Sequence, residues 1–489
     1  MKANQATRLI EIGSAAKLFA DTGGECFMQP MFGGVEPVFR IESNACREYL
    51  SAAFYSESAT GCNRNSIRDA LDTLKAKALH QSERHKVWLR TGAHEGAIIL
   101  DTGCERWRGL QINAAGITEL DRHPIKFRRA GKPHALPSLH ASPDLHALFD
   151  ILNVASRDRI LLLAFMLQSL RPSGPYPILV LSGEQGTAKS SAARIIKRFI
   201  DPSEVPLRGA PREERDFLAG AANSWLLAFD NLSGLPDWLS DSLCKLATGG
   251  GIAARTLFSD CEEILVNIQR PAILNGIDCV PSRGDLADRS LIVELETIVQ
   301  RLPESALEQK LKSIESRVFA GLLEALAAGM RELPNVSRTN LPRLADFALF
   351  AMASERALGF EAGTFQREFK RAQASGAVSA IESSPTAEIL MDLVQQRGGA
   401  LAMGSAALLE EIRERSPSFD PSIPRSAKGL VTLIKRLAPA FRQVGYSVDY
   451  GQRAGESRSR IITVSKIDAP KDGQAADSAV NKYREETGR

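Results

Sequence analysis

The sequence predicts an α/β protein: a parallel-sheet core crossed by helices, an α+β domain before it, and a helical region and a compact C-terminal unit after it. Three observations carry this. From Ile178 to about Leu295, short apolar runs bounded by Pro and Gly alternate with helical patterns, the signature of strands buried on both faces. Residues 304–375 are almost continuously helical in pattern, interrupted at Pro334 and Pro342. Beyond residue 385 three helical patterns are followed by two strand-like runs. A length of 489 residues accommodates about three domains of roughly 150 residues each.

Composition removes several classes. Lys+Arg 61 against Asp+Glu 58 leaves a net charge of +3, so any nucleic-acid surface has to be a local patch. The seven cysteines, at 26, 46, 62, 104, 244, 261 and 279, form no C-x-x-C pair, and their odd number argues against a disulfide framework. The N-terminus lacks the pattern of a signal peptide, and the longest apolar run, Ile160–Leu167, is far short of the ~18 residues of a membrane helix. The expected location is the cytoplasm, with no membrane partner.

Residues 1–145 read as the α+β domain. Residues 45–79 carry two helical patterns broken at Thr60-Gly61-Cys62-Asn63, and short strands follow around Val87, Ile98, Leu110 and Ile125. All seven histidines lie between His80 and His146 without ligand spacing, so a structural or surface role is expected for them. Residues 128–145, rich in Pro, Ala and Ser, read as a linker, and residues 146–170 as one buried helix that opens the core at 146–300.

The chemistry concentrates at 178–191. A strand, Ile178-Leu179-Val180-Leu181, and a helix with Ala192, Ile195, Ile196 and Phe199 on its period flank Gly183-Glu184-Gln185-Gly186-Thr187-Ala188-Lys189-Ser190-Ser191. Glycines let backbone N–H groups wrap phosphate oxygens, and the helix start adds its dipole. Lys189 is expected on the β/γ-phosphates of ATP and Ser190 on Mg²⁺. Ala188 stands where a glycine is usual; the position leads into a helix, where alanine is favoured. The strand Trp225–Phe229 ends at Asp230, where a carboxylate can serve the metal, and Ala272-Ile273-Leu274 ends at Asn275, whose amide can orient water. Arg289 precedes a further strand, Leu291-Ile292-Val293.

In this order these elements, with Leu246-Ala247-Thr248-Gly249-Gly250-Gly251 and Ala254-Arg255 between them, resemble the superfamily 3 helicases, in particular the AAA+ ATPase half of phage, plasmid and poxvirus primase-helicases. The resemblance implies a P-loop AAA+-type core, a hexameric ring hydrolysing ATP between subunits, and movement on single-stranded or forked DNA. It implies that Arg289 acts as a finger on a neighbouring subunit's nucleotide, and Lys245 and Arg255 are the candidate DNA contacts within this core. The chain departs from that pattern in three places. Asn231 replaces a second carboxylate, leaving Asp237 as another possible acid; Gly251 replaces an aspartate; and residues 258–263 carry three carboxylates where a DNA-tracking hairpin would be basic.

The C-terminal unit, 385–466, has helical patterns at Thr386–Gln396, Ser405–Arg415 and from Ser426, then strands at Tyr446–Tyr450 and Ile461–Val464, the winged-helix order. Residues 425–460 hold eight basic and two acidic side chains, a local +6 against +3 for the whole chain. Arg425, Lys428 and Lys435 on the third helix and Arg453, Arg458 and Arg460 on the wing are the candidate DNA contacts. Residues 301–380 are read as the helical region and 467–489 as a disordered tail. The expected function is a DNA helicase or replication-initiation ATPase of a phage, plasmid or integrated element. A DNA-binding ATPase switch without unwinding, and a nucleotide-binding scaffold without turnover, stay open as alternatives.

Overall fold

The computed structural model describes residues 4–467 apart from 131, 140–141, 256–262, 277–280, 282, 340, 417–419, 421–422 and 455–458. The N-terminal part begins with α1 (Gln5–Ser14), β1 (Lys17–Ala20), β2 (Cys26–Gln29), β3 (Phe39–Arg40), α2 (Asn44–Ser58) and α3 (Arg64–His80). Ser43 and Asn63 cap α2 and α3, each accepting a backbone N–H three residues on. Then come β4 (Val87–Trp88), β5 (Thr91–His94), β6 (Ala97–Asp101), β7 (Gly109–Asn113), β8 (Gly116–Leu120) and β9 (Lys126–Phe127). The strands expected around Val87, Ile98, Leu110 and Ile125 belong to two sheets, the antiparallel meander β5-β6-β7-β8 and the pair β4-β9, and β1-β2-β3 form a third.

The segment expected as a linker at 128–145 has described residues packed into the fold. Arg129 pairs with buried Asp101 at 2.7 Å, and Leu136 and Leu145 join one hydrophobic core with Ile98, Leu100, Leu110 and Ile112. The helix expected at 146–170 is also broken. Two short 3₁₀ turns, Leu145–Asp150 and Ser156–Asp158, precede α4 (Arg159–Leu170). Long-range pairing overrides the local helical pattern: Val154 bridges Leu295, the Ala155 N–H donates to the Glu294 carbonyl at 3.0 Å, and buried Asp158 accepts the Glu294 N–H at 2.8 Å.

The core continues through β10 (Ile178–Ser182), α5 (Lys189–Ile200), α6 (Glu214–Asn223), β11 (Leu227–Leu232), α7 (Asp237–Thr248), β12 (Gly251–Arg255), β13 (Glu263–Asn267), β14 (Ala272–Gly276), α8 (Gly284–Ala287) and β15 (Ser290–Glu294). Four strands form a parallel sheet in the order β11-β14-β10-β15, so the protein is α/β with a parallel core sheet. Side chains alternate across it. Leu179 and Leu181 enter the core shared with α4 and α5, whereas Ile178 and Val180 enter a second core with residues of α6 and α7. Burial on both faces explains why these strands read as unbroken apolar runs. β12 and β13 form a separate antiparallel hairpin.

Helices α9 (Glu304–Glu332), α10 (Ala345–Ser354) and α11 (Thr364–Glu382) follow, then α12 (Pro385–Gln396), β16 (Ala400–Gly404), α13 (Ser405–Arg415), α14 (Ala427–Gln443), β17 (Tyr446–Ala454) and β18 (Ser459–Lys466). The strand β16 has no counterpart among the sequence expectations; it completes an antiparallel sheet β16-β18-β17. The helix α11 joins two cores, with Phe365, Phe369 and Ala372 in the central one and Ala377, Ala380 and Ile381 in the C-terminal one. Among the described residues no helix is long and apolar enough to cross a membrane.

Candidate functional site

Because the sheet is parallel, the loops after β10, β11 and β14 emerge at one edge, which is where an α/β sheet places a ligand. Residues 183–188 leave β10 and enter α5 with Lys189 as its first residue. Gly183 needs its lack of a side chain twice over: its φ is +142°, and a methyl group there would stand 2.7 Å from the Leu295 carbonyl oxygen. Gly186 lies at φ +94° in the exposed apex with Glu184 and Gln185. Thr187 is buried, and its hydroxyl donates to the Glu184 carbonyl at 3.0 Å. Asn153 Nδ2 donates to the Thr187 carbonyl at 3.2 Å, tying the loop to the broken helix segment.

Helix propensity does not account for Ala188, contrary to the expectation from sequence. Ala188 is the cap residue, at φ 57°, ψ 36°, in the left-handed region. A Cβ there costs roughly 1–2 kcal/mol, so the position asks for glycine and the chain carries strain beside Lys189.

Three side chains converge at the sheet edge. Ser190 Oγ donates to Asp230 Oδ1 at 2.8 Å, and Asn275 Nδ2 lies 2.5 Å from the same oxygen and 3.1 Å from Ser190 Oγ. Asn275 is buried, 3 % exposed, whereas Asp230 and Ser190 are partly open. Lys189 Nζ donates to the loop's own carbonyls, Gly183 O at 2.6 Å and Glu184 O at 2.9 Å. Asn231 sits at φ 56° where the β11–β14 register shifts, its N–H on Asp230 Oδ1 at 3.0 Å. A hydroxyl and a carboxylate in contact, beside an ammonium and a glycine-rich turn, can hold a hydrated divalent cation and the phosphates it bridges. Ser191 lies one residue further into α5, partly exposed.

The other predicted residues lie elsewhere. Arg289 comes just before β15, whose first residue pairs with Ile178, the first of β10. It is therefore at the opposite end of the strands from the loop, roughly 16 Å away along β10. Its Nη1 donates to the Asp285 carbonyl at 2.6 Å, while buried Nε has no partner among the described residues. Asp237, the alternative acid, is committed to Arg283 (3.5 Å) and Arg436 (3.8 Å). Lys245 is exposed in the last turn of α7. Arg255 ends β12; Arg453 pairs in backbone register with Arg460 across β17 and β18. Arg458, the acidic hairpin segment 256–262 and the tail from 468 lie outside the described residues.

Arg425 and Lys428 are exposed at the start of α14, which Ser426 caps, and Lys435 lies over the Tyr450 ring at 5.2 Å. The other end of α14 docks on the core. It packs against α11 and α8 so closely that a methyl group on Gly284 would stand 2.8 Å from Pro439 Cγ.

Two features of the site have no counterpart in the sequence reading. One is a cleft of about 510 Å³ beside the loop, walled by residues 150–153 on one side and 297–302 on the other, with Ala192 and Ile195 of α5 as its floor. The second is Arg301, in the strap from β15 to α9, whose guanidinium lies against Gly186. Neither has a local signal, since the walls are about 150 residues apart in the chain.

The glycine-rich loop thus lies at one end of the strands of a parallel α/β sheet, with a hydroxyl–carboxylate pair next to it. Residues 145–369 match the family model of the actinomycete integrative conjugative element replication protein, and residues 386–478 match the model of the C-terminal domain of that RepA family. The chain is thus similar to replication proteins of mobile elements over both its core and its C-terminal unit. No curated protein matches the sequence. Among solved structures, the active helicase SCCmec type IV Cch aligns over 92% of this chain and 92% of its own, at 11% identity and a TM-score of 0.43. The apo A form of the NrS-1 C-terminal region aligns over 94% of this chain and 98% of its own, at 8% identity and a TM-score of 0.37.

Proposed function

We propose that this chain is the replication ATPase of an integrated mobile element, binding ATP with Mg²⁺ at the β10–α5 loop and acting on DNA as a helicase or initiator. The observation that carries the reading is the meeting of the Ser190 hydroxyl, from the first turn of α5, and the Asn275 amide, from β14, on one carboxylate oxygen of Asp230, from β11, beside Lys189. The similarity to conjugative-element replication proteins supports the biological setting.

In this mechanism Lys189 exchanges the Gly183 and Glu184 carbonyls for phosphate oxygens, and the N–H groups of residues 183–190 wrap them. Ser190 and Asp230 would hold a magnesium ion, which would supply charge neutralisation for the bound phosphates. Asn275 turns its amide from Asp230 to the attacking water. Arg289, too far along the sheet to serve its own loop, acts on the nucleotide of the adjoining subunit in a ring, for which a hexamer is proposed. Arg425 and Lys428 at the exposed start of a winged-helix recognition helix, together with Lys435, Arg453, Arg458 and Arg460, bind DNA phosphates; Lys245 and Arg255 contact it from the core.

Asn231 favours a second reading. An amide cannot take the proton from water, so a DNA-dependent switch with slow turnover and no unwinding fits the same site. ATP hydrolysis measured with and without single-stranded DNA, against Lys189→Ala as blank, tests both. DNA-stimulated turnover lost in the variant supports an ATPase, and strand displacement on a fork then separates helicase from switch. Turnover no higher than the blank refutes both.

A further inference from the structure

The strap between β15 and α9 crosses the loop at close range. Leu295 donates its N–H to the Ser182 carbonyl at 2.8 Å, and Glu296 donates to the Asn153 carbonyl at 2.8 Å. Residues 297–303 then run to Pro303, the cap of α9. On the way Arg301 Nη2 comes to 2.7 Å from where a methyl group on Gly186 would stand. No side chain other than hydrogen fits at 186 with the arginine in place, and the +94° φ of Gly186 makes the same demand.

Arg301 is exposed and, among the described residues, forms no hydrogen bond or ion pair. Nearby arginines are committed: Arg194 to Glu304 at 3.3 Å, Arg198 to Glu308 at 2.8 Å and Glu315 at 2.6 Å. A guanidinium lying over a glycine-rich turn, with no carboxylate in salt-bridge contact among the described residues, is placed to meet an anion that arrives there. It also lines the cleft of about 510 Å³, within the size range of small-molecule sites, together with Ile151, Leu152, Ala192, Ile195 and Leu302.

We propose that Arg301 is a phosphate-binding residue supplied by the same chain, closing the loop's open side over a nucleoside di- or triphosphate whose base and ribose occupy that cleft. This rests on the nucleotide-site reading above and adds to it a second cation, from a segment 112 residues beyond Lys189. Unlike Arg289, Arg301 needs no neighbouring subunit.

The test is titration of the full chain with fluorescent ATP and ADP analogues, comparing wild type, Lys189→Ala, Arg301→Ala, Arg301→Gln and Arg301→Lys. Loss of a charged hydrogen bond predicts about a tenfold weaker affinity for both nucleotides in Arg301→Ala and Arg301→Gln, with most of it restored in Arg301→Lys. A role confined to packing would not be rescued by the shorter cation. The effect should be the same at protein concentrations above and below those at which the chain assembles. Affinity within twofold of wild type in Arg301→Ala, or in Arg301→Gln if the alanine variant does not fold, while Lys189→Ala has lost binding, overturns this proposal alone. Absence of binding by the wild type overturns the nucleotide site itself, and this proposal with it.

Discussion

Asp201 offers the sharpest test of how the site is held. It follows α5 and is buried, yet it accepts four donors: Lys197 Nζ at 3.1 Å, Arg90 Nε at 3.2 Å, and the N–H groups of Trp225 at 3.0 Å and Leu226 at 3.1 Å. It thereby ties the far end of α5 to the strand that carries Asp230 and, through Arg90, to the segment before β5. Burial alone would raise its carboxyl, but Lys197, Arg90 and the Leu226 N–H outweigh burial and hold it at about 2. The drop from 3.8 to about 2 corresponds to about 2.4 kcal/mol. A depressed carboxyl stabilises the fold above its unfolded value, so this contribution is complete above about pH 5 and drains away as pH falls from 3.8 toward about 2. Asp201→Asn removes that charge and strands Lys197, whose ammonium burial already pushes down. Breaking such a buried pair from one side costs about 3–5 kcal/mol. Urea unfolding at pH 7 followed by Trp fluorescence should show that loss, and between pH 4 and 2 the gap between variant and wild type should narrow. Lys197→Met in the Asp201→Asn background should cost less than the sum of the two changes. A loss under about 1 kcal/mol, strict additivity, or a gap constant with pH would refute the reasoning.

The loop at 183–190, Asn275 and the start of α14 yield three more expectations. Ala188→Gly relieves the left-handed strain of roughly 1–2 kcal/mol and should keep or tighten nucleotide binding, whereas Ala188→Val, a β-branched residue at φ 57°, should abolish it; calorimetric titration with ADP distinguishes them. Asn275→Ala leaves Ser190 on Asp230 and should retain ATP affinity within a few-fold while hydrolysis falls about a hundredfold, so equal losses in both would show a binding role instead. Arg425→Ala with Lys428→Ala should weaken DNA binding evenly across sequences and lower the salt-dependence slope by about 2, roughly 1 for each phosphate contact, as read by anisotropy at several ionic strengths. An unchanged slope would remove the N-terminal end of α14 from the DNA surface.

What could be read from the amino-acid order was whatever depends on near neighbours. Apolar runs of four and three residues between Pro and Gly marked β10 and β14, because strands of a parallel sheet are buried on both faces. The turn 183–190 was legible because its glycines, Lys189 and Ser190 are near neighbours in the chain, and Asp230 and Asn275 because each is the first polar residue after an apolar run within its strand. Only the tertiary structure decided the rest. It set Ala188 in the left-handed region, a conformation that residue type does not announce, and broke the 146–170 helix because residues near 154 find hydrogen-bonding partners about 140 positions later. It brought Arg301 over Gly186, moved Arg289 to the far end of the sheet, and turned one end of α14 onto the core while leaving Arg425 and Lys428 exposed. Those outcomes depend on which distant segments pack together, and pattern along the chain carries the period of a face but not the identity of what covers it.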